Sequence, residues 1–171
     1  MARYVALLRG VSPMNLKMPD LKRCCEDAGF GNVKTLLSSG NAVFDASARS
    51  EALVARKLEA AMAKRLGRSF QAIVRSTGHL QKLIEADPFA AFRLPADTKR
   101  VVTFLPEPPK TEIALPPEKD GAQMLVVQGS EVFSAYVPSP RGPVFMALIE
   151  KTFGKNVTTR TWNTVKKCAS A

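Results

Sequence analysis

A chain of 171 residues, 46% of them apolar, is long enough to bury one core, or two small lobes that share one, and is too apolar for a disordered tail. Its formal charge of +10 favours anionic partners: nucleic acid, phosphorylated small molecules or acidic proteins. No apolar run approaches the roughly 20 residues of a membrane span, the N-terminus opens without a signal-peptide pattern, and three Cys with one His form no ligand set. No membrane partner, disulfide framework, metal or cofactor is therefore expected, and a reducing cytoplasm is the expected location.

The chain opens on Tyr4-Val5-Ala6-Leu7-Leu8, an apolar run between Arg3 and Arg9 that suits a strand buried on both faces. Gly10 breaks it. Pro19 fits the first turn of a helix, where no amide hydrogen is needed. Met18, Leu21, Cys25 and Ala28 follow at helical spacing, and Gly29 with Phe30 behind it reads as the C-terminal cap. Adjacent helical residues point about 100° apart, so of Cys24 and Cys25 one is expected in the core and one exposed. Cys168 reads as a tail thiol. Val33 to Ser38 and Ala42 to Phe44 are the next strands. Only Ser39-Gly40-Asn41 lies between them, so a hairpin is expected, with Gly and Asn supplying its positive φ values.

A second helix begins after Ser50 as N-cap, with Val54, Leu58, Ala61 and Met62 inward, and ends at Gly67. Phe70 to Val74 is a fourth strand. Residues 1–75 thus read β-α-β-β-α-β, the split motif of the ferredoxin-like fold. An α+β two-layer sandwich follows, with both helices on one face of an antiparallel sheet. The lobe carries 13 Lys+Arg against 6 Asp+Glu, a net of +7, whereas residues 76–171 carry 12 against 9, a net of +3.

A third helix is expected from about Ser76 to Ala86, with Leu80, Leu83 and Ile84 inward. Asp87-Pro88-Phe89 stops it. His79 in its first turn has no acid or nucleophile nearby in sequence and reads as a surface or packing residue. Lys99 to Leu105 reads as a strand. Pro106 to Gly121, with prolines at 106, 108, 109, 116 and 117, is a lid or a linker in which Lys110 to Leu115 has room for one helical turn. Met124 to Val127 and Val132 to Val137 pair through Gln128-Gly129-Ser130. Pro138 to Pro143 is a proline-braced loop carrying Arg141. Pro143 starts a helix with Phe145, Leu148, Ile149 and Phe153 inside, and Gly154 closes it. Thr158-Thr159-Arg160 is extended, and Thr161 caps a last helix that holds Val165 and Cys168. This is a second, related α+β lobe over residues 76–171, expected to pack with the first into one compact unit.

The runs VALLRGVSPMNLKMPDLKR, LLSSGNAVF and TTRTWNTV together resemble the bacterial family called domain of unknown function 1697, over nearly the whole chain. The resemblance implies two α+β lobes of ferredoxin-like character and implies no activity, cofactor or catalytic residue. The family's usual Asn-Val-Gly-Gly-type loop after Arg-Gly is replaced here by Ser12-Pro13-Met14, and Thr161 stands where the family often has Asn.

Topology places the candidate site. The first two strands run parallel with a helix between them, so the Gly10 to Lys17 loop and the Ser39-Gly40-Asn41 turn lie at one end of the sheet. Arg9, Lys17, Arg160 and Arg141 offer cations there. Asn15, Ser38, Ser39, Asn41 and Asn163 offer neutral hydrogen bonds, Gly10 and Gly40 shape the loops, and the first helix offers free amides. This set suits an anion better than it suits catalysis. Neither loop holds a carboxylate pair, Asp20 and Asp45 are the nearest acids, and His79 lies on another element from either serine. The expectation is non-catalytic binding of a phosphate- or carboxylate-bearing ligand, nucleic acid included. The alternatives are an enzyme on such a metabolite using Lys17 or Ser39 with Asp20, a protein-interaction module, or residues that only make turns. The oligomeric state is left open.

Overall fold

The computed structural model describes residues 1–138 and 142–171, so Arg141 lies outside the described residues. The chain divides into two units, one of Met1–Glu85 with Lys166–Ala171, the other of Ala86–Val165.

In the first unit the order is β1 (Ala2–Leu8), α1 (Met18–Asp27), β2 (Gly31–Leu36), β3 (Asn41–Ala46), α2 (Glu51–Leu66), β4 (Ala72–Ser76) and α3 (Thr77–Ala86). The strands form one antiparallel sheet in the order β2-β3-β1-β4. This is the ferredoxin-like arrangement expected from the β-α-β-β-α-β reading. The unbroken apolar run Tyr4 to Leu8 takes a central position, and all five residues are buried. Tyr4, Ala6 and Leu8 join Leu21, Cys24 and Cys25 of α1 and Val54, Leu58 and Met62 of α2 in one core, while Val5 and Leu7 are buried on the opposite face. The helix ends behave as their residues dictate. Ser50 accepts a bond from the Leu53 amide at 3.3 Å, Gly67 takes φ 73°, and the Phe30 amide bonds back to the Cys25 carbonyl so that the Phe30 ring stacks on Phe44 at 4.3 Å.

The cysteines differ from expectation. Cys24, Cys25 and Cys168 are all fully buried, with free thiols. Helix α1 packs on β2 and β3 and also on α2, so two of its faces are covered and neighbouring residues are both inside.

The second unit holds a short 3-10 turn (Pro88–Ala91), β5 (Lys99–Phe104), β6 (Ala122–Gln128), β7 (Glu131–Tyr136), α4 (Val144–Phe153), β8 (Thr158–Thr161) and the start of α5 (Trp162–Ser170). Its antiparallel sheet has the order β6-β7-β5-β8, the same permutation as the first. The two lobes are thus similar, with one element exchanged. Where the first unit has α1, the second has residues 105–121, in which no helical turn forms at Lys110 to Leu115. Prolines on both sides of that stretch remove amide donors and bias their predecessors away from helix. The stretch instead runs beside β6, where Pro108 to Leu115 and Leu125 to Val127 line a common groove.

The likeness of the halves reaches single residues. Each sheet's last strand passes directly into a helix. Ser76 Oγ accepts from the His79 amide at 3.1 Å, and Thr161 Oγ1 accepts from the Thr164 amide at 3.2 Å. The residue before each cap is a buried arginine, Arg75 or Arg160, whose Nη1 donates to the preceding carbonyl at 3.0 Å. Phe89, Phe133 and Trp162 pack edge to face below the second sheet, and Val101, Met124, Val132, Phe145 and Ile149 form the core on its α4 side. Among the described residues no helix is long and apolar enough to cross a membrane.

Candidate functional site

The two loops do meet at the end of the first sheet. The Leu8 amide donates to the Gly40 carbonyl at 2.9 Å, and the Arg9 amide donates to the Gln71 carbonyl at 3.0 Å. The β2–β3 connection is a four-residue loop, Leu37 to Gly40, closed by the Leu36 and Asn41 pair. Positive φ falls on Leu37 at 59° and Gly40 at 86°. Asn41, expected to supply one of these, is instead a strand residue. It pairs with Leu7 and Leu36, is fully buried, and its Nδ2 donates to the Leu36 carbonyl at 2.8 Å and to Ser39 Oγ at 3.0 Å. A side-chain amide can satisfy the loop's open groups from inside the sheet, so the residue need not bend there itself.

The β1–α1 loop is held by Asn15. Its Oδ1 accepts from the Ser12 amide at 2.9 Å and its Nδ2 donates to the Gly10 carbonyl at 2.8 Å. Ser12 Oγ in turn accepts from the Met14 amide at 3.3 Å. These bonds order the segment Ser12-Pro13-Met14. The loop ends at Lys17, which precedes α1 in an extended conformation, and no side chain caps that helix. The free amides expected there are not a set: Pro19 has no amide hydrogen and the Asp20 amide donates to the Lys17 carbonyl at 3.0 Å, which leaves the Met18 amide beside the positive dipole end.

Arg68 completes the cluster. Its Nη2 donates to the Asn15 carbonyl, and its guanidinium lies over the Phe70 ring, 5.5 Å from the centroid. Sequence reasoning missed this residue because it lies more than fifty positions from the loop. The one signal was its place just past the helix-closing Gly67. Lys17, Arg68, Ser38 and Ser39 are exposed, and Met14 is 94% exposed.

The remaining candidates lie in the other unit. Arg160 is buried in β8, where Nη1 also donates to Thr158 Oγ1 at 2.6 Å, and Asn163 is exposed in the first turn of α5. The first unit therefore gathers Arg9, Gly10, Asn15, Lys17, Ser39, Gly40 and Asn41, while Arg160 and Asn163 belong to the second.

The perturbed ionisable groups stand away from the loops. Burial pushes the Cys25 thiol up to about 12, helped by Cys24 and Glu26, and burial also raises Cys24. The Asp45 carboxyl is held below its ordinary value by Asn32 Nδ2 at 2.7 Å and by Arg3 Nη1 at 2.9 Å. Asp27 is lowered by its bidentate partner Arg65. No group of three or more His, Cys, Asp or Glu among the described residues is placed to hold a metal ion.

The second unit contains a separate cleft of about 370 Å³ on the α4 side of its sheet. Val101, Ala122, Tyr136, Phe145 and Met146 supply its apolar walls, and Asp120, Thr159, Arg160 and Thr161 are polar residues on the lining. Sequence reasoning did not find it, because its walls come from five separate elements and loops.

The fold recurs in a solved structure, that of a conserved bacterial protein from Streptococcus pneumoniae. The two are 20% identical, with a TM-score of 0.68 over 99% of this chain and 97% of that one. No curated protein matches the chain. Residues 1–133 match the model of a family described as "Protein of unknown function (DUF1697)".

Proposed function

The chain belongs to the family of unknown function whose model its residues 1–133 match, and on that premise we propose that it binds an anionic ligand without transforming it. The site is the end of the first unit where the β1–α1 loop meets the β2–β3 turn. The observation that carries this reading is the pair of exposed cations, Lys17 and Arg68, set around the start of a helix that no side chain caps. The positive dipole end and the two cations favour a phosphate or a carboxylate. The excess charge of the first 75 residues, +7 from 13 basic and 6 acidic groups, draws such a ligand in. Nucleic acid phosphates are included in the class. Three buried free thiols suit a reducing, cytoplasmic setting.

A thermal-shift screen tests the proposal, with nucleotides, sugar phosphates, carboxylates and short oligonucleotides at low and at high salt. A ligand at 100 times its dissociation constant adds about 2.7 kcal/mol of stability. The expected result is a hit that weakens with salt and disappears in the Lys17→Ala, Arg68→Ala double variant. A panel without a phosphate or carboxylate hit, or a hit that the double variant retains, sinks the reading.

A further inference from the structure

The second unit departs from the first in a way that opens a cavity. In the first unit α1 covers β2 and β3 while α2 packs on β4. In the second unit nothing helical follows β5, and α4 packs most closely on β6, at the other edge of the sheet. The face over β5 and β8 near the start of α4 is consequently left as the cleft of about 370 Å³. That is room for about a dozen waters at ~30 Å³ each, and it falls within the range of pockets that enclose small organic ligands.

Its lining defines the chemistry. The floor is apolar: Val101, Ala122 and Phe145 are buried, and the Tyr136 and Phe145 rings lie stacked, 4.9 Å apart and within 9° of parallel. The threonine hydroxyls are already engaged, Thr159 with Thr103 at 2.8 Å and Thr161 with Thr164 at 3.0 Å. Charge on and beside the lining is mixed, and the lining's own cation, Arg160, is held by Thr158 Oγ1 and the Thr159 carbonyl. Asp120 lines one side. Lys99 stands beside the lining and not in it: it is the cross-strand partner of Tyr136, so its exposed side chain leaves the same face of the sheet, and α4 begins at the cleft with no side-chain cap.

We propose that this cleft binds a small, mostly apolar carboxylate, with a ring or short hydrocarbon body against Val101, Tyr136 and Phe145 and the carboxylate toward Lys99 and the first turn of α4. The enclosed apolar body supplies the affinity, and the charge at the mouth sets the orientation. The site is independent of the one proposed for the first unit, which holds no part of it.

The probes are 3-phenylpropionate and its neutral analogue 3-phenylpropanamide, titrated into the full-length protein and followed by amide resonances. The acid is expected to shift Val101, Phe145 and Met146, and to bind about tenfold or more tightly than the amide, as a charge-assisted hydrogen bond commands. Met146 is on the rim and partly exposed, so Met146→Trp should block the cleft and abolish the shifts without unfolding the chain. Lys99→Gln should weaken the acid and leave the amide unchanged. The Lys17→Ala, Arg68→Ala double variant should change neither, which separates this result from the first-unit site. No shift with either probe, shifts that map outside the cleft, equal binding of acid and amide, or indifference to both cleft variants overturns the proposal.

Discussion

Gly40 packs so closely on Val11 that a Cβ at position 40 would stand 2.9 Å from the Val11 Cβ. The contact joins the β2–β3 turn to the β1–α1 loop, and the Leu8 to Gly40 backbone bond lies beside it. Both the close approach and the φ of 86° demand glycine here. Gly40→Ala combines left-handed backbone strain with overpacking and should cost about 2–4 kcal/mol. Urea unfolding measures it. A loss below about 0.5 kcal/mol, the scatter of ordinary surface substitutions, would mean that the two loops are not braced through this glycine.

Asn41→Ala should destabilise the protein by about 1–3 kcal/mol, because the Leu36 carbonyl and the Ser39 hydroxyl lose a buried donor. Anion binding measured on the fraction still folded should survive, since the Asn41 side chain points into the hairpin and is fully buried. Lost binding with an unchanged melting temperature would give Asn41 a ligand role in place of a structural one.

The paired caps should cost alike. Ser76→Ala and Thr161→Ala each remove the acceptor of a first-turn amide, and each should lower stability by about 0.5–2 kcal/mol. Combined in one chain, the losses should add, since the two caps share no partner. Chemical denaturation of the two single variants and the double variant checks both statements.

Cys25 makes stability sensitive to alkali. Its thiol titrates at about 12 in the folded chain against an ordinary value of 9.0, so the folded state holds its proton more tightly than the unfolded state. The resulting stabilisation is full below the ordinary value and is lost as pH rises from there toward the folded value. Stability measured across that window should fall more steeply in the native chain than in Cys25→Ala, once the variant's overall loss of packing is subtracted. Parallel curves would show that the thiol is not held neutral by burial.

Local signals along the chain were enough to read the elements of both lobes. Pro19, Ser50, Gly67 and Thr161 mark helix ends by chemistry that acts within one turn. The Tyr4 to Leu8 run marks a central strand, since only a strand covered on both faces can be apolar at every position. Alternating elements with short links then leave few topologies, and the β-α-β-β-α-β order led to the observed sheet. The meeting of the two loops followed from strand direction alone.

Other features required the folded chain. Cys24 is inside because α1 is clasped by a sheet and a second helix, and helical period alone reports one covered face. Asn41 is a strand residue because backbone pairing with Leu7 and Leu36 outweighs its turn preference. Arg68 reaches Asn15 across a gap in sequence that no local pattern spans. The likeness of Arg75–Ser76 to Arg160–Thr161 emerges only when both strands are seen to end in the same kind of cap. The cleft is the clearest case: its walls are assembled from β5, β6, β7, α4 and β8. Sequence acts over a turn of helix or a pair of strands, and so it determined the elements and their order. Which side chains share a cavity depends on packing between elements distant in the chain, and that was decided by the tertiary structure.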